Sequence, residues 1–202
     1  MTENGGELVF MFRGEITEFQ FYQNRKAEKL IMMPFCQEDL EMHGHNFFEL
    51  AYITGGTAEH TLENEGKTIS AGDYFFVDYG CLHGFQNCKN LTLINCLFLP
   101  ETVDETLEGC RSFSKLLQGC LLKYYRMSLG KAKLARVFHD RNGQVGRLMQ
   151  EMLLEYQEQK VGCYPLLRFK LLEILLLTLR GLIEPENERP YSTSVQEVLE
   201  YV

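Results

Sequence analysis

The stretch HGHNFFELAYITGG, residues 43 to 56, brings three potential ligand side chains together within seven residues. His43 and His45 are two positions apart and Glu49 follows four positions later, so all three leave the same face of a β-strand, on which side chains alternate. A fourth candidate, His83, follows in GCLHGF. Imidazoles and a carboxylate facing one interior suit a divalent Zn, Ni, Mn or Fe ion with open coordination positions. They equally suit proton transfer or hydrogen bonding to a ligand, and the four residues alone leave these roles open.

The residues on either side of this stretch, up to about residue 100, have the pattern of an antiparallel β-protein. The segments are short, rich in Phe, Tyr, Ile, Val and Thr, and separated by Gly and Asn. The turn Glu63-Asn64-Glu65-Gly66 predicts a hairpin, since Asn and Gly accept positive φ. Because no helical segment intervenes, the successive strands favour a barrel or a sandwich. Strands are predicted at residues 8–12, 29–35, 47–53, 57–63, 73–78 and 91–99.

After residue 100 the apolar residues recur at helical spacing. One amphipathic helix is predicted over 113–124 and a second over 145–160. Gly162 ends the second helix, and Pro165 suits the first turn of a third helix that runs to about Ile183. This third helix is apolar on nearly every side. We therefore expect it to pack antiparallel against the second helix and to leave apolar surface for a second subunit.

The bulk composition argues against several classes of function. The 202 residues are 45% hydrophobic and 24% charged, an ordinary balance for a globular domain with a buried core. A net charge of -8 and a pI near 5.2 argue against nucleic-acid binding by this segment itself. There is no signal peptide, and the longest apolar run, 171–179, is too short to span a bilayer, so we expect a cytoplasmic protein without a membrane partner. The seven cysteines form no C-x-x-C pair and are predicted to be reduced thiols. His60 and His139 each stand alone among polar residues and are predicted to be solvated surface residues.

The spacing of the candidate ligands resembles the two sequence motifs of the cupins, a family of double-stranded β-helix, or jelly-roll, barrels. The pattern H-x-H-x-x-x-E, followed by Gly56, looks like the first motif. The second motif, G-x5-P-x-G-x2-H-x3-N, is matched by Gly72, Gly80, His83 and Asn87. Asp78 stands where the second motif has Pro, and Gln37 stands where the first usually begins with Gly, but neither position is a ligand. The resemblance implies a mainly β fold with α, in which a cupin barrel is followed by α-helices.

A cupin followed by two long helices, a polar linker and a short helix is similar to the AraC family of transcription regulators. The run HGHNFFELAYITGG…GDYFFVDYGCLHGF…NLTLINCLFLP looks most like its rhamnose-responsive branch. The resemblance covers about residues 30–202. It implies an effector-binding cupin barrel over 1–100 and a helical dimerisation region over 101–184, which contains the antiparallel helix pair. It also implies that 185–202 hold a linker and the first helix of a helix-turn-helix DNA-binding domain whose remainder is absent from the sequence.

These features predict the sensing and dimerising half of a DNA-binding regulator, not an enzyme. A small polar, sugar-like effector would bind in the barrel, a second copy of the chain would form a homodimer, and DNA would be contacted only through the missing domain. The alternative is a metal-dependent cupin enzyme, an isomerase or a dioxygenase, although such an enzyme has no need of the helices and the linker. A purely structural dimerisation module is a third hypothesis. The residues predicted to bind the effector, or a divalent metal, are His43, His45, Glu49 and His83.

Overall fold

In this computed structural model, strands dominate the first part of the chain and helices dominate the last part. The residues that the structure describes are 16–17, 29–122 and 137–183. The strands are β1 (Ile16–Thr17), β2 (Leu30–Gln37), β3 (Leu40–His45), β4 (Phe48–Leu62), β5 (Glu65–Ser70), β6 (Asp73–Val77), β7 (His83–Phe98) and β8 (Val137–His139). The α-helices are α1 (Phe113–Leu117), α2 (Gln144–Glu158) and α3 (Cys163–Ile183). Two 3₁₀ turns (Pro100–Thr102 and Glu105–Leu107) precede α1, and a π-helical turn (Gln118–Leu122) follows it.

The two longest strands, β4 and β7, run antiparallel along their whole length and take part in both layers of the barrel. The first half of β4 pairs with β6, and β8 extends that layer, while β2 pairs with the second half of β7. The second half of β4 pairs with β5, and β3 pairs with the first half of β7. The result is two facing antiparallel layers joined by shared strands, which is the jelly-roll arrangement. β1 pairs in parallel with the end of β3, at Gly44 and His45.

A bend in β4 allows it to pass from one layer to the other. Gly56 has φ +72°, and a Cβ placed there would lie 2.2 Å from the backbone oxygen of Asn90 on β7, so only glycine fits without displacing the neighbouring strand. The pairing of β4 with β7 shifts register on both sides of this point, as expected for β-bulges. The other turn positions of the cupin motifs also have positive φ, namely Gly72, Gly80 and Asn87.

Strand alternation divides the buried residues between two cores. On β4, Ala51 and Ile53 face the barrel interior, where they pack with Phe75, Phe85 and other interior residues. The intervening residues of the same strands face outward and pack against the helices. Glu49 shares the parity of Ala51, so the strand pattern directs this carboxylate to the inside.

The helices cover the outward face of the layer that contains β2, β6 and the first half of β4. Asp140 accepts hydrogen bonds from the backbone N–H groups of Gln144 and Gly146 and so caps the start of α2. Helix α3 packs against α2, and Lys170 on α3 pairs with Glu151 on α2.

The predicted elements are confirmed in type, with differences in length. The segments predicted as two strands, 47–53 and 57–63, are the two halves of the single strand β4, and the hairpin turn that follows it is confirmed. β7 begins at His83 instead of 91, and neither β3 nor β5 was predicted. The prediction that His43, His45 and Glu49 lie on one strand is wrong, because the chain bends at residues 46–47 and places the histidines on β3 and the carboxylate on β4. The helices predicted over 145–160 and up to Ile183 are confirmed as α2 and α3.

Other predicted segments differ from the elements of the structure, or lie outside the residues that the structure describes. The helix predicted over 113–124 is a short α-helix continued by the π-helical turn as far as Leu122. The predicted helical region contains the short strand β8, which joins the sheet at β6. The strand predicted at 8–12 and the linker and helix predicted at 185–202 lie outside the described residues. All seven cysteines lie in the described residues, and none of them forms a disulfide there. In the described ranges no helix is both long enough and apolar enough to span a bilayer.

Candidate functional site

Four of the five histidines of the chain lie close enough to Glu49 to interact with its carboxylate electrostatically. Glu49 comes from the layer that contains β6, because it pairs with Val77. His43 and His83 come from the opposite layer, where they are directly paired across β3 and β7. The cluster therefore spans the two layers, so its assembly depends on how they are packed together.

His45, Glu49 and His83 form the centre of this cluster. One ligand atom from each lies within 4.8 Å of the other two, and all three side chains are buried. His45 Nε2 lies 3.2 Å from Glu49 Oε2, and His83 Nε2 lies 3.7 Å from the same oxygen. Two imidazole nitrogens and one carboxylate oxygen at such separations can face a single divalent cation.

The Nε2 atoms of both imidazoles lack a well-aligned hydrogen bond within the described part of the chain, although both are buried. Buried polar atoms are normally satisfied, so two such atoms directed at one carboxylate are typical of a site that takes a further ligand. His45 Nδ1 is 2.9 Å from the carbonyl oxygen of Phe47 and donates to it, because a carbonyl only accepts. That contact leaves Nε2 of His45 as the nitrogen available to a metal.

The ionisation of the cluster favours metal binding. Burial alone would raise the pKa of Glu49, but its 3.2 Å contact with His45 and the charges of the neighbouring histidines outweigh it and lower the pKa to about 2. Burial lowers the pKa of His83 well below its usual value, which outweighs the opposing effect of Glu49. A carboxylate that is ionised and an imidazole that is neutral at neutral pH are the forms that bind a metal. The residues present therefore fit a divalent cation.

His43 lies at the edge of this centre and is outside the three-residue group. Its ring centroid is 4.3 Å from that of His83, and its Nδ1 donates to the backbone oxygen of Glu41 at 3.0 Å. Its side chain is partly exposed. The structure thus brings all four predicted site residues together, with His45, Glu49 and His83 nearest to one another and His43 beside His83.

His60 was predicted to be a solvated surface residue, and that prediction is wrong. Only 1% of its surface is exposed, and its Nε2 lies 3.5 Å from Nδ1 of His83. The physical reason is strand alternation, because His60 stands between the interior residues Ala58 and Leu62 on β4. The alternation of TAEHTLE could have shown this. His139, by contrast, is exposed at the surface and contacts Asp73 at 2.8 Å.

A cavity of about 910 Å³ is lined in part by His60, but by none of His43, His45, Glu49 and His83. It opens between β5, β8 and the last turns of α3, and Lys67, His139 and Thr178 contribute to its polar lining along with His60. A volume of this size accommodates a small organic molecule.

The fold and the cluster agree with the comparison to known protein families. The family model of the AraC-like ligand binding domain matches residues 35–163 of this chain. This chain belongs to the family of AraC-like ligand-binding domains. The matched range contains the whole His–Glu cluster and ends at the start of α3. The predicted resemblance to AraC-type regulators is confirmed.

Curated relatives include the HTH-type transcriptional activator RhaR from two organisms. RhaR of Mannheimia succiniciproducens is 23% identical over 178 residues, which are 88% of this chain and 59% of that protein. RhaR of Yersinia pseudotuberculosis serotype O:1b is 28% identical over 67 residues, which are 33% of this chain and 23% of that protein. The chain therefore spans less than two thirds of the length of these relatives.

The match to one solved structure agrees with the predicted fold class. Apo ToxT K231A from Vibrio cholerae matches with a TM-score of 0.51 at 10% identity, over 79% of this chain and 57% of that one. An RmlC-like cupin from Shewanella frigidimarina matches 35% of this chain and 66% of its own, with a TM-score of 0.32 and 23% identity. The fold is a cupin-type barrel followed by helices, as the sequence predicts.

Proposed function

We propose that this chain is the sensing and dimerising part of a DNA-binding transcription regulator, and that a small polar effector binds inside its barrel. The observation that carries the proposal is the buried His–Glu cluster with two unsatisfied Nε2 atoms, in a member of the AraC-like ligand-binding family. A structural dimerisation module would not need such a cluster, because buried polar groups without partners destabilise a fold. DNA would be contacted through a further domain, in the cytoplasm where that DNA lies.

The residues proposed to bind the effector are His43, His45, Glu49 and His83, and the same residues are proposed to hold a divalent metal. Zn, Ni, Mn or Fe would bind Nε2 of His45, Nε2 of His83 and a carboxylate oxygen of Glu49, with His43 beside them. A metal with open positions would supply a Lewis-acidic contact for hydroxyl or carboxylate groups of the effector. A sugar-like molecule carries such groups.

The turn that follows β6 offers a route from this site to the helices. The N–H of Gly80 donates to the backbone oxygen of His45 at 2.8 Å, and Oδ1 of Asp78 accepts from the N–H of Phe113 at 2.7 Å. Phe113 also stacks on Phe76 of β6, with ring centroids 4.0 Å apart. A ligand that moves the backbone at His45 would therefore act on the start of α1 through a single turn. Such a switch requires the ligand to bind one arrangement better than the other.

Metal binding is tested by elemental analysis of the purified chain and by titration of the metal-free protein with Co²⁺, which gives a visible absorption band in a protein site. We expect one equivalent to bind, and the double variant His45→Ala, His83→Ala to bind at least ~100-fold more weakly because two of three central ligands are gone. His139→Gln, at an exposed histidine on β8, serves as the matched control. Unchanged Co²⁺ affinity in the double variant would show that this cluster is not the metal site.

Effector binding is tested by thermal unfolding of the wild-type chain with a panel of monosaccharides, beginning with rhamnose. A binding effector raises the unfolding temperature, and the rise is expected to be lost in Glu49→Gln.

NMR spectra of the effector, recorded after prolonged incubation with the protein, distinguish a regulator from an enzyme. An unaltered effector supports a sensor, whereas isomerised or oxidised product would support the cupin-enzyme alternative.

A further inference from the structure

His60 occupies a fixed position behind His83. Its ring stacks on Phe75 with centroids 4.0 Å apart and an interplanar angle of 23°, and it lies 4.9 Å from the ring of Phe85. Stacking on Phe75 restrains the plane of the imidazole. Its Nε2 points at Nδ1 of His83, at a distance of 3.5 Å.

His83 therefore lies between two groups that compete for its single N–H. On one side is Nε2 of His60, and on the other is Oε2 of Glu49, 3.7 Å from Nε2 of His83. A neutral imidazole carries one proton, on one of its two nitrogens. A proton on Nδ1 leaves a lone pair on Nε2 facing Glu49 and His45, whereas a proton on Nε2 blocks that position.

We propose that His60 is a positioning residue, which accepts the Nδ1–H of His83 and so keeps Nε2 of His83 free for the metal. This inference rests on the proposed metal site. Histidine ligands of metals commonly donate their second N–H to a neighbouring acceptor, which fixes the tautomer and the ring orientation. Within the described ranges, Nε2 of His60 is the imidazole nitrogen that lies within hydrogen-bond distance of Nδ1 of His83.

The tautomer of His83 is measured directly by ¹⁵N NMR of the metal-free wild-type protein, with His83→Gln used for assignment. We expect His83 to be protonated at Nδ1. In His60→Phe, which keeps a flat ring between Phe75 and Phe85 but has no acceptor, the proton is expected to move to Nε2 and bond to Glu49. In His60→Gln, whose amide oxygen can accept, the Nδ1 form is expected to return.

Metal affinity provides the second measurement. Co²⁺ affinity is expected to fall by roughly 10- to 100-fold in His60→Phe, the range usual for loss of a group that orients a metal ligand, and to recover partly in His60→Gln. His139→Gln is again the matched control and is expected to bind as the wild type does.

The two measurements separate this inference from the proposed function. If His83 carries its proton on Nε2 in the wild type, or if its tautomer is the same in His60→Phe, the role of His60 is wrong even where Co²⁺ binds. If His83 shows the expected tautomers but the wild type binds no metal, the metal site is wrong and His60 orients His83 for direct contact with the effector.

Discussion

Gly56 shows how a single residue determines the shape of the barrel around the site. It lies seven positions after Glu49, at the point where β4 leaves one layer and enters the other. Its positive φ and the close backbone of Asn90 exclude any side chain there. The same strand therefore carries Glu49 in one layer and His60 in the other, and both face the same interior.

The substitution Gly56→Ala is expected to destabilise the chain by about 2 kcal/mol or more, because it combines a left-handed backbone with a clash against β7. Urea unfolding followed by circular dichroism measures the change. Gly66→Ala is the matched control, since the nearest heavy atom to its Cβ would be Thr61 Oγ1 at 3.8 Å and its φ is not positive. The control is expected to change stability by no more than about 0.5 kcal/mol. Equal effects of the two substitutions would contradict this account of Gly56.

Among the structural elements, the turn between β6 and β7 connects β3 to the start of α1. Asp78, which stands where the cupin motif has Pro, bonds through its carboxylate to the N–H that begins α1. Burial raises the pKa of Asp78 to about 6, against the opposing effect of the bond from Phe113, and the charge of Glu63 adds to the rise. A proline there would have no side-chain acceptor for α1.

The raised pKa of Asp78 predicts a particular dependence of stability on pH. Between about pH 4 and pH 6 the folded chain holds this proton and the unfolded chain does not, so the contribution of Asp78 to stability is lost as the pH rises through that window. Asp78→Asn has no proton to lose. Its free energy of unfolding, relative to the wild type, is therefore expected to increase from pH 4 to pH 6 by on the order of 2 kcal/mol and to stay constant above.

The comparison variant is Asp78→Ala, which lacks the acceptor for Phe113 as well as the charge. It is expected to be about 1 kcal/mol less stable than Asp78→Asn at every pH, which is the usual contribution of one hydrogen bond. Urea unfolding at a series of pH values measures both effects. A constant difference between Asp78→Asn and the wild type from pH 4 to pH 6 would rule out a raised pKa at this residue.

At the scale of the whole molecule, α3 has two apolar sides. One side is buried against the barrel and α2 and includes Leu167, Leu171 and Ile174. The other side carries Leu166 and Phe169, which lie three positions apart and are 40% and 62% exposed. An exposed apolar stripe on a helix is typical of a protein–protein interface, and we propose that a second copy of the chain covers it.

This proposal predicts that the wild-type chain sediments as a dimer at micromolar concentration and that Phe169→Glu sediments as a monomer, because the charge would be buried without a partner. Gln86→Glu, an equal change of charge on the exposed face of β7, is the control and is expected to remain a dimer. Circular dichroism checks that both variants keep their secondary structure. A folded Phe169→Glu variant that still forms dimers would place the interface elsewhere.

The sequence by itself determined the features that depend on local spacing. Alternation along a strand put His43 and His45 on one face of β3 and, separately, Glu49 on the inward face of β4. Helical periodicity set the bounds of α2 and α3, and the Asn-containing turn set the β4–β5 hairpin. The motif spacing resembles that of cupins, because turn residues with positive φ recur at fixed distances from the ligands, and the helices and linker that follow resemble AraC-type regulators.

Only the tertiary structure decided which side chains meet. The distance between Glu49 and His83 depends on how two layers of the barrel pack, and no local pattern contains that distance. The contact of His60 with His83 arises because β4 bends at Gly56 and continues in the opposite layer, whereas the sequence suggested two separate strands and a surface histidine. Long-range pairing is specified by the packing of many residues at once, so the sequence predicted the members of the site but not their arrangement.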